Sequence, residues 1–215
     1  MSTKTTLNGK SRTGLDGRPL VLASTSRYRR ALFERFGHPF VVAAPGVDEA
    51  ARPGETPAAT ALRLAEAKAR EVAARFADAL VIGSDQVADC DGQAVGKPGS
   101  RVAAIAQLER QSGRSIVFHT GVAVVDAASG RVQTRLVDVR SRFRPLTLRE
   151  IEQYVDREQP WDCAGSVKSE GLGIALFDGI DSDDPSALVG LPLIAVAAML
   201  RAEGVDVLAP PKGAR

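Results

Sequence analysis

The 215-residue chain has only two cysteines and two histidines. Cys90 and Cys163 lie far apart without metal-ligand spacing, which excludes a cysteine zinc cluster and gives no basis for a disulfide framework. Both are expected to be reduced thiols of a cytoplasmic protein. His38 and His119 show no partner spacing and receive no role. No stretch approaches the apolar length of a membrane span. A net charge of +2 is too small for a binder of nucleic-acid polymer, which carries a far larger basic excess. Neither the Walker pattern Gly-x-x-x-x-Gly-Lys-Ser/Thr nor the Rossmann pattern Gly-x-Gly-x-x-Gly occurs, which disfavours those two nucleotide folds.

What is present is an ordinary globular composition, 44% hydrophobic and 25% charged, long enough for a substantial core. Residues 1–19 are polar, lack the apolar run of a signal peptide and are expected to form a disordered leader. Residues 20–208 are expected to form one catalytic domain, and 209–215 a flexible tail. Strand, helix, strand, helix, strand is the predicted order of the first third, which argues for an α/β fold. The first strand is Leu20–Ala23, followed by a helix from Arg27 to about Phe36 and a strand at Phe40–Ala43. Thr56 and Pro57 open a long helix as N-cap and first residue. Its buried stripe is expected at Leu62, Ala65, Ala69, Val72, Ala73 and Phe76, with Lys68 at the edge, its stem on apolar surface and its ammonium lifted into a cleft. Ala79–Gly83 is predicted as a short strand ending at Ser84-Asp85-Gln86. Asp91-Gly92 marks a hairpin between Val87–Cys90 and Gln93–Val95. A helix near Arg101–Gln111, strands at Ile116–Val125 and Val132–Phe143, and a helix opened by the capping box Thr147-Leu-Arg-Glu150 follow. Ile174–Phe177 is predicted as a further strand, and Leu193–Glu203 as a last helix closed by Gly204. The sum is a curved mixed sheet with flanking helices and a cleft between two lobes.

The most informative segment follows the first strand. Ser24-Thr25-Ser26 leads into a helix whose first turn holds Arg27, Arg29 and Arg30, with no carboxylate before Glu34. A helix start is already positive, so arginines there are disfavoured unless an anion joins them. Amides, hydroxyls and guanidinium groups together would hold a polyphosphate. The alternative is a plain Ser26 N-cap with the arginines in water.

Asp85, at the end of an apolar strand, stands where ligands meet open α/β sheets and is suited to holding Mg²⁺ or drawing a proton from water. Glu49 lies in a Pro-bounded loop, and Lys97 sits on the turn Gly96-Lys97-Pro98. Ser24, Arg29, Arg30, Lys68 and Lys97 supply groups for phosphate, and Glu49 and Asp85 supply metal-type oxygens. That inventory suits cleavage of a phosphoanhydride.

In order along the chain, Leu22-Ala-Ser-Thr-Ser26 with Arg29-Arg30, Val47-Asp-Glu49, Ala65-Glu-Ala-Lys68, Ile82-Gly-Ser-Asp85-Gln86, Gly96-Lys-Pro98, His119-Thr-Gly121 and Val189-Gly-Leu-Pro192 resemble the Maf family of nucleoside-triphosphate pyrophosphatases. The resemblance implies an elongated Maf/ITPase-like α/β fold, often seen as a homodimer. It also implies hydrolysis between the α- and β-phosphates of a nucleoside triphosphate with a divalent cation, Mg²⁺ or Mn²⁺. Asp85 then matches the proton acceptor, and Ser24, Arg29, Glu49, Lys68 and Lys97 match other cleft positions. Cys163-Ala-Gly-Ser-Val-Lys-Ser-Glu170 is similar to the branch acting on 7-methyl-GTP, with Tyr28, Gln86 and Glu170 at the positions that set base choice. The chemistry agrees: a cationic 7-methylguanine gains from the Tyr28 face, and a carboxylate such as Glu170 accepts guanine N–H groups. Lys168 is the neighbour that would otherwise neutralise Glu170. Arg27 departs from the family, which usually has Pro there. Two alternatives stay open, the same reaction on dTTP and UTP, and a non-catalytic nucleotide-binding regulator of septum formation.

Overall fold

The computed structural model describes residues 18–210, so most of the expected leader and tail lie outside the described residues. Arg18 and Pro19, assigned above to the leader, are tied to the domain. Arg18 reaches Asp78 at 2.6 Å and Asp126 at 2.5 Å, and Pro19 accepts from the Leu80 amide at 2.9 Å.

Seven strands form one sheet in the order β2-β1-β3-β5-β6-β7, with β4 paired to β3 beside that path. They are β1 (Leu20–Ala23), β2 (Phe40–Val42), β3 (Leu80–Cys90), β4 (Gln93–Val95), β5 (Ser115–Asp126), β6 (Val132–Phe143) and β7 (Phe177–Asp181). β1 runs parallel to β2 and β3, whereas β3, β5, β6 and β7 are antiparallel neighbours. The helices are α1 (Arg27–Glu34), α2 (Pro57–Ala73), α3 (Arg101–Gln111), α4 (Leu148–Glu158) and α5 (Leu193–Ala202). This is the mixed α/β architecture that the alternation of patterns predicts. Among the described residues, no helix is long and apolar enough to cross a membrane.

Period-two alternation divides the strands between two cores. Leu20, Leu22, Leu80 and Ile82 pack under α1 and α5, whereas Val21, Ala23, Val81 and Ala123 pack under α2. Farther along, β3, β5 and β6 enter a third core, where Ala88, Phe118 and Val139 meet Leu108 of α3 and Ile151 and Val155 of α4. The long strands thus join two lobes.

Three details differ from expectation. β3 does not stop at Gly83: β5 supplies antiparallel partners from Leu80 through Asp89, so the ladder runs on and Asp85 lies mid-strand, opposite Gly121. Pairing with a long partner outweighs the local turn signal of Ser84-Asp85. The segment Leu172–Leu176 is a 3₁₀ turn, and the strand begins only at Phe177, where β6 offers an edge. On α2 the buried face includes Ala61, Leu64 and Lys68, whereas Leu62 is half-buried.

α2 lies unusually close to the sheet. A Cβ on Gly83 would fall 2.3 Å from the Ala65 carbonyl oxygen, and one on Gly121 would fall 2.4 Å from that of Ala61. Both obstacles are backbone, so they cannot swing away. We therefore expect Gly83→Ala to destabilise the protein by about 2–3 kcal/mol or more, measured by urea denaturation; a change below about 0.5 kcal/mol would show that the helix shifts freely.

Candidate active site

A cleft of about 1180 Å³ opens between the two lobes, lined by Ser24, Tyr28, Arg29, Glu49, Lys68, Asp85, Gln86, Lys97 and Glu170 among others. Nine of the ten residues picked from the sequence therefore share one cavity. Arg30 is the exception. It is exposed and donates to Glu34 at 2.9 Å, because the i, i+4 spacing sets both on the outer side of α1.

The three arginines of the first turn take three directions. Arg29 turns inward, and its Nε donates to the Gly190 carbonyl at 2.8 Å. Burial pulls its guanidinium below the usual arginine range against the attraction of Asp85 and Glu49. Arg27 lies against Tyr28. The α1 start is capped by Ser26, whose side chain accepts from the Arg29 amide at 3.4 Å, and Ser24 Oγ accepts from the Ser26 amide at 3.1 Å. No acidic residue occupies the first turn, so Arg29 carries the electrostatic conflict to the Glu49 and Asp85 side of the cleft, and Arg27 lines the cavity beside Tyr28.

At the cleft floor, Lys68 is 4% exposed and Asp85 8%. Lys68 Nζ donates to Asp85 Oδ1 at 2.7 Å and lies 2.6 Å from Glu49 Oε1. One ammonium is thus shared by two carboxylates from different elements, a β3 side chain and a loop side chain. Burial of so strong a charge is tolerable because it is paired on both sides. Burial alone would raise the Glu49 pKa, but Lys68 first, then Lys97 and Arg29, outweigh it and hold the carboxyl below its usual range. Lys97 is exposed on the turn after β4.

Among the described residues, no group of three or more His, Cys, Asp or Glu side chains could hold a metal ion. The donor set of Asp85 and Glu49 nevertheless suits a hard divalent cation that takes one or two carboxylates and completes its shell with phosphate oxygens and water.

The other half of the cleft has a different character. Gln86 Nε2 donates to the carbonyls of Ala187 (2.8 Å) and Leu188 (3.1 Å) and lies 3.1 Å from Thr120 Oγ1. With both amide hydrogens engaged by acceptors, its Oε1 is left as the free polar atom. Glu170 is not neutralised as its sequence neighbourhood implied. Lys168 pairs with Glu158 at 2.9 Å, and Glu158 also receives the Leu172 amide at 2.9 Å. Burial raises the Glu170 pKa above its ordinary value against a backbone hydrogen bond and the Lys168 charge, which lower it, and Glu158 and Asp162 add to the rise. Within Cys163-Ala-Gly-Ser166, which lines the cleft through Cys163 and Ala164, the last two residues shape the loop: Gly165 and Ser166 adopt positive φ, Ser166 Oγ donates to Gln107 at 2.6 Å, and Tyr154 OH donates to the Ser166 carbonyl at 3.0 Å. Burial pushes the Cys163 thiol up to about 12, which leaves it protonated and unreactive.

Sequence reasoning missed Gly190 as the holder of Arg29, and Trp161 and Asp162 on the wall facing Tyr28. Gly190, at φ 106°, stood inside a quoted motif, whereas an acidic loop residue such as Asp162 carries no sequence signal of its own.

Residues 19–203 match the family described as Maf-like protein. A protein of Albidiferax ferrireducens named 7-methyl-GTP pyrophosphatase is 58% identical over 191 residues, covering 89% of this chain and 96% of the relative. One of Aromatoleum aromaticum with the same name is 60% identical over 186 residues, covering 86% and 96%. A third, from Burkholderia thailandensis, is 56% identical over 198 residues, covering 91% and 92%.

The raised Glu170 pKa has a consequence for stability. Folding disfavours the ionised carboxylate, so the penalty is present above the folded pKa and vanishes as pH falls below the unfolded value of about 4.3. Glu170→Gln removes it. The variant is expected to melt higher than wild type at pH 7, with the gap closing near pH 4 in calorimetry; a constant gap across that range would rule out an electrostatic origin.

Proposed function

Because the chain belongs to the Maf family, we infer that it hydrolyses a nucleoside triphosphate to the monophosphate and pyrophosphate, with 7-methyl-GTP as its substrate. The observation that carries the reading is the buried Lys68 ammonium shared by Asp85 and Glu49, at the floor of a cleft that Arg29 and Lys97 also line. A pocket that only binds a nucleotide has no need of a buried Asp85 with Glu49 beside it facing polyphosphate, since carboxylates repel it.

The triphosphate lies at the basic half of the cleft. Arg29, held by Gly190, presents a fixed guanidinium, Lys97 approaches from the opposite lobe, and Ser24 and the amides at the start of α1 add hydrogen-bond donors. Asp85, oriented by Lys68, accepts the proton of the water that attacks the α-phosphorus. Lys68 and Lys97 stabilise charge on the departing pyrophosphate. Asp85 and Glu49 would also hold Mg²⁺ or Mn²⁺, which neutralises phosphate charge when bound. Water attacks, the bond from the α-phosphorus to the bridging oxygen breaks, and pyrophosphate leaves with that oxygen.

Base choice falls to the other half. Tyr28 offers an aromatic face, worth roughly 0.5–2 kcal/mol to a cationic ring. Gln86 Oε1 and the Glu170 carboxylate are acceptors, and guanine's Watson–Crick edge carries adjacent N–H donors. Thymine and uracil flank a single N–H with two carbonyls, which that pair of acceptors does not suit. The two unpaired cysteines accord with a cytoplasmic site of action.

Asp85→Asn keeps the shape and loses the base. We expect kcat to fall by roughly 10²–10⁴ while circular dichroism shows an intact fold; near-normal turnover would remove Asp85 from the chemistry. Pyrophosphate release from 7-methyl-GTP, GTP, dTTP and UTP tests the substrate: kcat/KM is expected to be highest for 7-methyl-GTP, and a preference for the pyrimidine nucleotides would reverse the assignment.

A further inference from the structure

Arg27 and Asp162 have no part in the reaction just described, yet they meet at the base half of the cleft. The Arg27 guanidinium carbon lies 4.7 Å from the centroid of the Tyr28 ring. Its Nη2 donates to Tyr28 OH at 2.6 Å and stands 3.8 Å from Asp162 Oδ2. Tyr28 OH in turn donates to Asp162 Oδ1 at 3.3 Å. Arg27 and Tyr28 come from the start of α1, and Asp162 from the loop after α4 in the other lobe, so these contacts cross the cleft. Both Asp162 and Arg27 line the cavity.

A flat delocalised cation lying against an aromatic ring beside a carboxylate is the arrangement that a 7-methylguanine ring would also seek. We propose that Asp162 is a specificity-determining residue for the cationic base, and that Arg27 is an internal cation filling the same seat until the substrate displaces it. The proposal rests on the function inferred above.

The energetics suit a replaceable occupant. The side chains of Arg27 and Asp162 are 70% and 53% exposed, and an ion pair so open to water is weak. Removing Arg27 from the ring therefore costs little, whereas a base held by its own phosphates brings its positive charge to Asp162 without that freedom to wander. Neutral guanine gains nothing from Asp162. A cation there also relieves the crowding of negative charge that Asp162 and Glu158 impose on Glu170.

The test compares kcat/KM for 7-methyl-GTP and GTP in wild type, Asp162→Asn, Asp162→Glu and Arg27→Ala. Asp162→Asn is expected to lower the 7-methyl-GTP to GTP ratio by about threefold to tenfold, chiefly through KM for the methylated nucleotide. Asp162→Glu, which keeps the charge, should restore most of the ratio. Arg27→Ala should lower KM for 7-methyl-GTP about twofold to fivefold by removing the competing cation. Equal losses on both nucleotides in Asp162→Asn, or a higher KM for 7-methyl-GTP in Arg27→Ala, would overturn the proposal. A wild type that does not prefer 7-methyl-GTP to GTP removes the parent assignment and this one together. A wild-type preference that Asp162→Asn leaves intact removes only this one.

Discussion

The site depends on how closely α2 is pressed against the centre of the sheet. Gly83 and Gly121 have no side chains, and the helix face above them is built from Ala61, Ala65 and Ala69. Backbone therefore meets backbone at contact distance. At that spacing Lys68 cannot escape to solvent along its stem, and its ammonium ends between Asp85 and Glu49. A buried ammonium left alone would be strongly unfavourable, and a buried Asp85 would be as well; each makes the other tolerable. Small residues in the helix and the strands thus set the geometry of the charged ones.

The cleft that results has two electrical poles. Arg29, Lys68 and Lys97 gather around Glu49 and Asp85 on one side. Asp162, Glu158 and Glu170 lie on the other, where Lys168 pairs with Glu158 and Arg27 stands beside Asp162 as a weakly held, replaceable cation. A ligand that is negative at one end and positive at the other is complementary to such a field, and among nucleotides a triphosphate with a cationic base has that form. The strands β3, β5 and β6 run through both lobes, so the two poles are held by a continuous ladder rather than by a hinge of loop residues.

The turn at Ala187–Gly190 links the poles through backbone oxygens. Ala187 and Leu188 accept from Gln86, Ala187 also accepts from Thr120, and Gly190 accepts from both Ser84 and Arg29. A base-reading amide and a phosphate-binding guanidinium are therefore oriented by one short stretch of main chain. Backbone carbonyls cannot change rotamer, which makes them better fixtures than side chains for groups that must be aimed.

Much of this was legible in the residues. Hydrophobic periodicity and capping signals gave the α/β order, and the clash of arginines with a helix start pointed to an anion near Ser24 and Arg29. Side-chain chemistry alone marks Asp85, Glu49, Lys68 and Lys97 as a set. Direction was not legible. Arg27, Arg29 and Arg30 look alike in sequence, and only the packing of α1 sends one inward, one onto Tyr28 and one to Glu34. Nor could the end of β3 be read locally, because it is decided by β5, whose Val117 is the partner of Asp89. Pattern and chemistry are properties of neighbours in sequence, and these the sequence by itself determined. Which charges share a buried space depends on contacts between distant segments, and those the tertiary structure alone decided.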